Sequence, residues 1–522
     1  MRRLSIAVKK LAIVCHRWMG VAFSLLFMWW FISGIVMMYW TYPEVSEEDH
    51  LRHAPKLEAA RVKLTPQDAL KAAGIDEADS IRLTSFDGRP AYFFRAGRGS
   101  AIVYADTGEQ QDVFPPELNL RTVAAWTGQP AASAKVETVT DPDQWTLLGG
   151  VRRQLPLQKY TFPDGQQVYL SEDTGEIVQY TTLSSRIYSH LGVIPHWLYY
   201  TPIRVNGELW TNLIVWSSGI ATIAAFLGMI VGIWMLSPSQ KYRHAGQPTA
   251  VPYTGQKRLH TILGLFFGIL TMTWAFSGML SMDPFPITSG GPVGGAAKGQ
   301  GKGQQSPSQL IQQTLAGGRF DLARFEGKHP AEVLARLDTN FPVKELEYTS
   351  YAGEPVFHAK SETETRVIPV DPNSAASLNQ DRVLRLVKES AGEQNIAEAK
   401  LLTQYDRYYL DRTFARPLPV VFVQLKDAGE TRLYIDPKTA RVVGRYTEST
   451  SAWVNRWLYH GLHSLDFPWL YNHRPAWDIV VLSLMLACVW LCWTSIVLSY
   501  RVVKRKLGIV QARRAPSEDL AL

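Results

Sequence analysis

The sequence predicts a membrane protein: a four-helix transmembrane bundle, made from a two-span half used twice, with two large α+β regions outside the bilayer. Three observations predict it. Four apolar stretches are each long enough to cross a bilayer. One membrane motif occurs twice. The two long segments between spans alternate in polarity as half-buried strands do.

The spans are expected at 11–40, 209–236, 260–282 and 476–500. Each supplies roughly the 20 apolar residues that a ~30 Å hydrocarbon core requires. A mean hydropathy of −0.08 would suggest a soluble chain. The average misleads because the apolar residues are concentrated. The first stretch is too long for a signal peptide, and Met37, Met38, Tyr39 and Trp40 are no small-residue cleavage site, so it is read as a retained span.

Charge orients the spans. Arg2, Arg3, Lys9, Lys10 and Arg17 flank the first; Lys241, Arg243, Lys257 and Arg258 occupy 237–259; Arg501, Lys504, Arg505, Lys506, Arg513 and Arg514 follow the fourth. The positive-inside rule puts the N-terminus (1–10), the 237–259 loop and the 501–522 tail in the cytoplasm. Segments 41–208 and 283–475 then face outward, into the periplasm of a bacterium whose inner membrane holds the protein N-in and C-in. These flanks explain the basic residues without nucleic-acid binding. The long segments contain no cysteine; Cys15, Cys488 and Cys492 lie in or beside spans, so no disulfide framework is expected.

Both long segments carry strand–turn–strand signals: 101–113, 166–180, 365–375 and 431–446, where alternating runs enter Asp-Thr-Gly, Asp-Pro-Asn or Asp-Pro-Lys-Thr. Helical patterns accompany them at 64–74, behind an N-cap-like Thr65, and at 329–337 and 381–392. Each segment is expected to fold as a pair of small α+β units. The low-complexity stretch 289–309 is expected to be a flexible loop.

The repeated motif reads HRWMGVAFSLLFMWWFISG at 16–34 and HTILGLFFGILTMTWAFSG at 260–278. Both place a His first, a Gly four residues on, and Ser-Gly late: His16, Gly20, Ser33, Gly34 and His260, Gly264, Ser277, Gly278. A second correspondence precedes spans two and four. Arg186 and His190 lead into Pro-His-Trp-Leu-Tyr; Arg456 and His460 lead into Pro-Trp-Leu-Tyr. Each stretch is expected to be an amphipathic helix at the outer face, where Trp and Tyr belong. A buried imidazole is costly unless its nitrogens are used, and neutral imidazole ligates haem iron well. His16 is therefore paired with His260 near the inner face, and His190 with His460 near the outer face. His463 and His196 are the alternatives to one outer partner. Two haems so placed would form an electron relay across the membrane. The glycines and serines suit either close approach of a flat macrocycle or close helix packing. Trp29, Trp30 and Trp274 suit either the macrocycle edge or lipid.

The chain resembles the PepSY-associated transmembrane family. The resemblance rests on His-Arg-Trp-x-Gly at 16–20, the Ser-Gly late in span one, strands ending in Asp-Thr-Gly or Asp-Pro-x-Thr, and Tyr405-Asp406-Arg407-Tyr408-Tyr409 followed by Pro417-Leu418-Pro419. It covers nearly the whole chain. Some members are inner-membrane reductases of iron-siderophores with b-type haem in a four-helix bundle. The resemblance thus implies an oxidoreductase with two haems b. Its substrate would be a periplasmic ferric siderophore or similar ferric chelate, released as Fe(II). The electron donor would be quinol or a cytosolic flavoprotein, since no dinucleotide fingerprint follows a strand here. Arg407, Tyr408, Tyr409, Arg412, Arg152 and Arg153 are the candidates for the chelate, whose ligands are anionic oxygens. Two rival readings remain: a non-catalytic PepSY sensor or protease modulator, and a siderophore or metal transport component. The first leaves the intramembrane histidines unexplained. The second lacks a central acidic residue or broken helix in any span.

Overall fold

The computed structural model describes residues 2–97, 99–284, 306–337, 340–448 and 450–514. The chain divides into two compact units: Met1–Tyr42, Ser184–Gly290 and Thr450–Leu522 form one, Pro43–Leu183 and Gly291–Ser449 the other.

The first unit is helical. Its four long helices are span one (Arg2–Met37), span two (Gly207–Met235), span three (Gly255–Leu280) and span four (Ala476–Arg514). Spans one and three each pack against both two and four, which closes a four-helix bundle. Asn206 caps span two by accepting from the Leu209 amide. The bundle is lined with small and polar groups: Ser33, Ala221, Ser277 and Thr494 are fully buried. Its outside is large and apolar, with Leu25 69%, Phe266 72%, Trp216 68% and Trp490 60% exposed. Water would penalise that arrangement, whereas lipid removes the penalty and small residues let the helices approach. All four helices are long and apolar enough to cross a membrane. The protein is a multi-pass membrane protein.

Short helices lead into spans two and four, and they differ from the single amphipathic helices the sequence suggests. Before span two, Leu183–Leu191 stops at Gly192 and a separate turn, Val193–His196, follows. A Cβ on Gly192 would lie 2.9 Å from Val36 Cγ1 and 3.1 Å from the Tyr188 carbonyl, so the chain can turn against span one only with glycine there. Before span four, Val454–Gly461 is π-helical and runs into the short turn Leu462–Ser464. A π segment widens the helix and shifts the face on which the following residues emerge.

The second unit is built from sheets. A six-stranded antiparallel sheet runs in the order Thr365–Pro369, Glu354–Lys360, Glu345–Tyr351, Ser80–Phe86, Arg89–Ala96, Gly99–Tyr104. Strands of the two long segments meet at its centre, Ile81 opposite Tyr348 and Leu83 opposite Leu346. The sequence suggested separate units in each segment, whereas here two of them share one core of Leu83, Tyr92, Val103, Leu346 and Phe357. Periodicity shows that a strand has an apolar face but not which partner covers its edge.

Two four-stranded antiparallel sheets complete the unit. One comprises Lys135–Val139, Leu157–Thr161, Gln167–Ser171 and Ile177–Thr181; the other comprises Ile396–Leu402, Val420–Leu425, Arg432–Ile435 and Val442–Tyr446. Gly175, at φ +63°, makes the turn of the 166–180 hairpin. The 101–113 stretch returns only as a single bridge, Val103 to Gln110. Thr65 caps Pro66–Ala72 as its position suggests, accepting from the Asp68 amide. Of the low-complexity stretch 289–309, residues up to 305 lie outside the described ones; Ser306 caps a helix, Pro307–Ala316.

Candidate functional site: facing histidines in the bundle

Two pairs of imidazole rings face each other in the helical unit. His16 on span one and His260 on span three have ring centroids 6.2 Å apart, tilted by 32°. His196 and His463, in the short turns before spans two and four, have centroids 5.9 Å apart at 71°. From His16 to Ser33, beside the second pair, span one rises ~26 Å over seventeen residues, so the pairs lie near opposite ends of the bundle.

All four rings are held the same way. The His16 Nδ1–H donates to the Ala224 carbonyl of span two at 3.0 Å. The His260 Nδ1–H donates to Thr494 Oγ1 of span four at 3.0 Å, and that hydroxyl donates onward to the Leu491 carbonyl. The His196 Nδ1–H lies 3.1 Å from both the Trp30 carbonyl and Ser33 Oγ. His463 Nδ1 lies 3.1 Å from Ser277 Oγ, whose hydrogen goes to the Trp274 carbonyl. A carbonyl, or a hydroxyl already committed to one, can only accept, so each Nδ1 carries the proton and each Nε2 keeps its lone pair. No Nε2 of the four has a hydrogen-bond partner among the described residues.

Metal-ligating histidines are commonly held in this way, with one ring nitrogen donating to a fixed acceptor and the other left open. Metal–imidazole bonds of ~2.0 Å on both sides, plus ~1.1 Å from each nitrogen to its ring centre, would set centroids about 6.2 Å apart. The observed separations fit a planar cofactor ligated from both faces. Glycines make the space. A Cβ on Gly228 would lie 2.5 Å from His16 Cε1, and one on Gly34 would lie 3.4 Å from His196 Cε1. One on Gly278 would lie 3.5 Å from His463 Cε1. A cavity of about 350 Å³ adjoins the second pair, walled by Phe27, Trp30, Phe31, Trp274, Met485 and others.

The sequence placed His190 opposite His460 at this end; the structure brings His196 opposite His463 instead. His190 is exposed, with Nδ1 on the Arg186 carbonyl of its own helix, and His460 is exposed beside Tyr459. The break at Gly192 carries His196 inward, and the π segment does the same for His463. Two residues after each ring the chain passes through the left-handed region, at Leu198 and Leu465, both φ 50°. His196 and His463 are thus matched in space although they follow His190 and His460 by six and three residues. The Ser-Gly of the motif also has a role that spacing alone did not reveal: Ser33 and Ser277 orient the rings, and Gly34 and Gly278 leave them room. Thr494, Ala224 and Gly228 had no sequence signal beyond small size in a span. Gly20 and Gly264 face Ser495 and Leu491 as packing contacts. Trp30 and Trp274 line the cavity, while Trp29 is 44% exposed on the lipid side. Cys488 and Cys492 are buried with Phe31 and Trp274 in the bundle core.

The candidates for an acceptor site lie in the sheet unit. Tyr408 and Tyr409 are 5% and 0% exposed and belong to an aromatic core with Phe422 and Tyr434. The Tyr409 hydroxyl donates to the Pro417 carbonyl, and Arg407 pairs with Glu448 at 3.2 Å. The two tyrosines build the wall rather than offer a surface, whereas the Arg407 side chain is exposed. Arg412 is half-buried; Arg152 and Arg153 are exposed at the end of a short helix, Gly149–Arg152.

Fold and site together define a multi-pass helical-bundle membrane protein with two facing histidine pairs and a large sheet-built unit. Residues 14–326 match the model of the PepSY-associated TM region, and the chain belongs to that family. No curated protein matches the chain.

Proposed function

We propose that this protein is a haem-b oxidoreductase of a bacterial inner membrane, which delivers electrons to a periplasmic ferric chelate such as a ferric siderophore. The observation that supports it most is the common state of the four histidines: facing pairs, every Nδ1–H committed, every Nε2 free. Four half-buried imidazoles inside a membrane bundle, with unused lone pairs, are costly unless they ligate something.

In this reading the chain is a two-span half used twice, with both termini cytoplasmic and residues 41–208 and 283–475 in the periplasm. His16 and His260 hold the cytoplasmic-side group; His196 and His463 hold the periplasmic-side one. Haem bound at each pair supplies a one-electron couple. Ala224, Thr494, Ser33 and Ser277 fix each ring's orientation and make its Nε2 more basic through the hydrogen bond at Nδ1. Phe27, Phe31 and Trp274 keep water from the second pair. Quinol or a cytosolic flavoprotein is the donor. One electron converts Fe(III) to Fe(II), which the hard oxygen ligands of a siderophore hold far less tightly. Arg152, Arg153, Arg407 and Arg412 supply the positive charge that attracts an anionic chelate.

The test is direct. Purified protein is reduced with dithionite, freed of excess reductant and mixed with a ferric hydroxamate and a chromogenic Fe(II) chelator. Return of the oxidised visible spectrum, with one Fe(II) trapped per electron lost, supports the reading. A reduced protein that stays reduced contradicts it.

A further inference from the structure

The cavity beside His196 and His463 contains one charge. Arg204, in the short helix Thr201–Arg204, lines it, and no Asp or Glu does. Its guanidinium lies against two rings, 5.1 Å from the Tyr199 centroid and 4.5 Å from Trp210. Tyr199 is buried, and the Trp210 indole is fixed by donating to the Trp197 carbonyl at 2.7 Å. The Arg204 guanidinium has no ion pair or hydrogen bond among the described residues, and its Nε is buried without an acceptor. A second cavity donor, Trp30 Nε1, is orphaned in the same way.

An arginine at the matching place shows what the chain does when no ligand is needed. Arg474 precedes span four, lies 5.0 Å from the Trp477 ring and is closed by a two-pronged ion pair to Asp478. Glu208 stands four residues after Arg204, as Asp478 does after Arg474, yet it makes no such pair and is exposed. A buried guanidinium Nε–H without an acceptor is costly. Two stacked rings hold this one in a fixed pose, which suits a planar carboxylate.

We propose that Arg204 is an anion clamp for the molecule that His196 and His463 hold, taking one of its carboxylates, with the Trp30 indole as an additional donor. This rests on the haem reading above, in which the carboxylate is a haem propionate. The same chemistry would accept a lipid phosphate at the cavity mouth, and the probes separate the two.

Full-length His16→Ala protein, in which only the second pair is available, is prepared haem-free. It is titrated with haemin and with the iron porphyrin dimethyl ester, which lacks the carboxylates. The clamp predicts that haemin binds about ten- to a hundredfold more tightly than the ester. Arg204→Leu abolishes the difference by weakening haemin alone; Arg204→Lys restores part of it. Equal binding of haemin and ester without any change at Arg204 overturns the clamp and assigns the guanidinium to a lipid anion; this arm needs no variant to fold. A preference for haemin that survives Arg204→Leu also overturns it, and leaves the haem reading intact. If neither porphyrin binds, and His463→Ala changes nothing, both readings fall.

Discussion

The two histidine pairs reach the same geometry by different routes. His16 and His260 sit inside uninterrupted helices, at the same place in a motif that recurs. An α-helix has a fixed rise and rotation, so equal spacing in sequence becomes equal position in space. His196 and His463 come from broken helices, one interrupted at Gly192 and one widened by a π segment. There, equal spacing singles out His190 and His460, and the breaks bring other residues inward. Sequence recurrence is a reliable guide to which side chains face each other along a straight helix and a poor one at its irregular ends.

The comparison can be broken at the straight end first. His260→Ala or His16→Ala should remove one of two haems outright, seen as a halved pyridine haemochrome yield. Retention of both would separate that pair from cofactor binding.

Glycine substitutions sharpen the contrast. Gly228→Ala sets a methyl 2.5 Å from the His16 ring, which the Ala224 carbonyl holds in place, and should weaken haem at that pair by at least tenfold on titration. Gly34→Ala meets the flexible Met485 terminus first, at 2.6 Å, and His196 only at 3.4 Å, so its effect should be several times smaller. The reverse order would mean that the second pair is the tighter one.

The hydroxyls give a finer test. Ser277→Ala takes away the hydroxyl that accepts from His463 Nδ1, about 1 kcal/mol or roughly fivefold in affinity. Ser33→Ala leaves the Trp30 carbonyl at 3.1 Å for His196 and should cost less than half as much. Equal losses would show that the carbonyl is not the main partner.

A last prediction concerns the sheet unit, far from either pair in chemistry. His358 is fully buried, with neither ring nitrogen hydrogen-bonded. Burial, then the charges of Arg441 and Lys360, push its pKa down to about 4, although Glu347 at 4.0 Å pulls the other way. A base whose folded pKa lies below its unfolded value binds more protons when unfolded, so stability falls as pH drops from 6.5 toward 4. Between pH 6.5 and pH 5 the loss should be about 2 kcal/mol. Thermal unfolding of the full protein in detergent, compared with His358→Leu, reads it: the variant's melting should lose that part of its acid sensitivity.

The four spans were legible because a helix in lipid must satisfy its backbone within one continuous segment and face apolar chains with apolar residues. Tyr408 and Tyr409 show a limit: tyrosine next to arginine reads as a binding surface, but pairing of Val420–Leu425 with Arg432–Ile435 buries both rings. The joining of the two long segments at Ile81 and Tyr348 had no local signal, because edge pairing depends on a partner more than two hundred residues away. Arg204 looked like any interfacial arginine; only the missing acid and the two rings around it single it out.

The most direct measurement is a haem count, by pyridine haemochrome and dithionite difference spectrum, on the wild type beside His190→Ala, His460→Ala, His196→Ala and His463→Ala. Two b-type haems in the wild type and in the first two variants, with one in each of the last two, is the predicted result. Loss of haem in His190→Ala or His460→Ala with retention in His196→Ala would contradict the assignment of the second pair. A colourless wild type from haem-replete cells would contradict the electron-transfer function altogether.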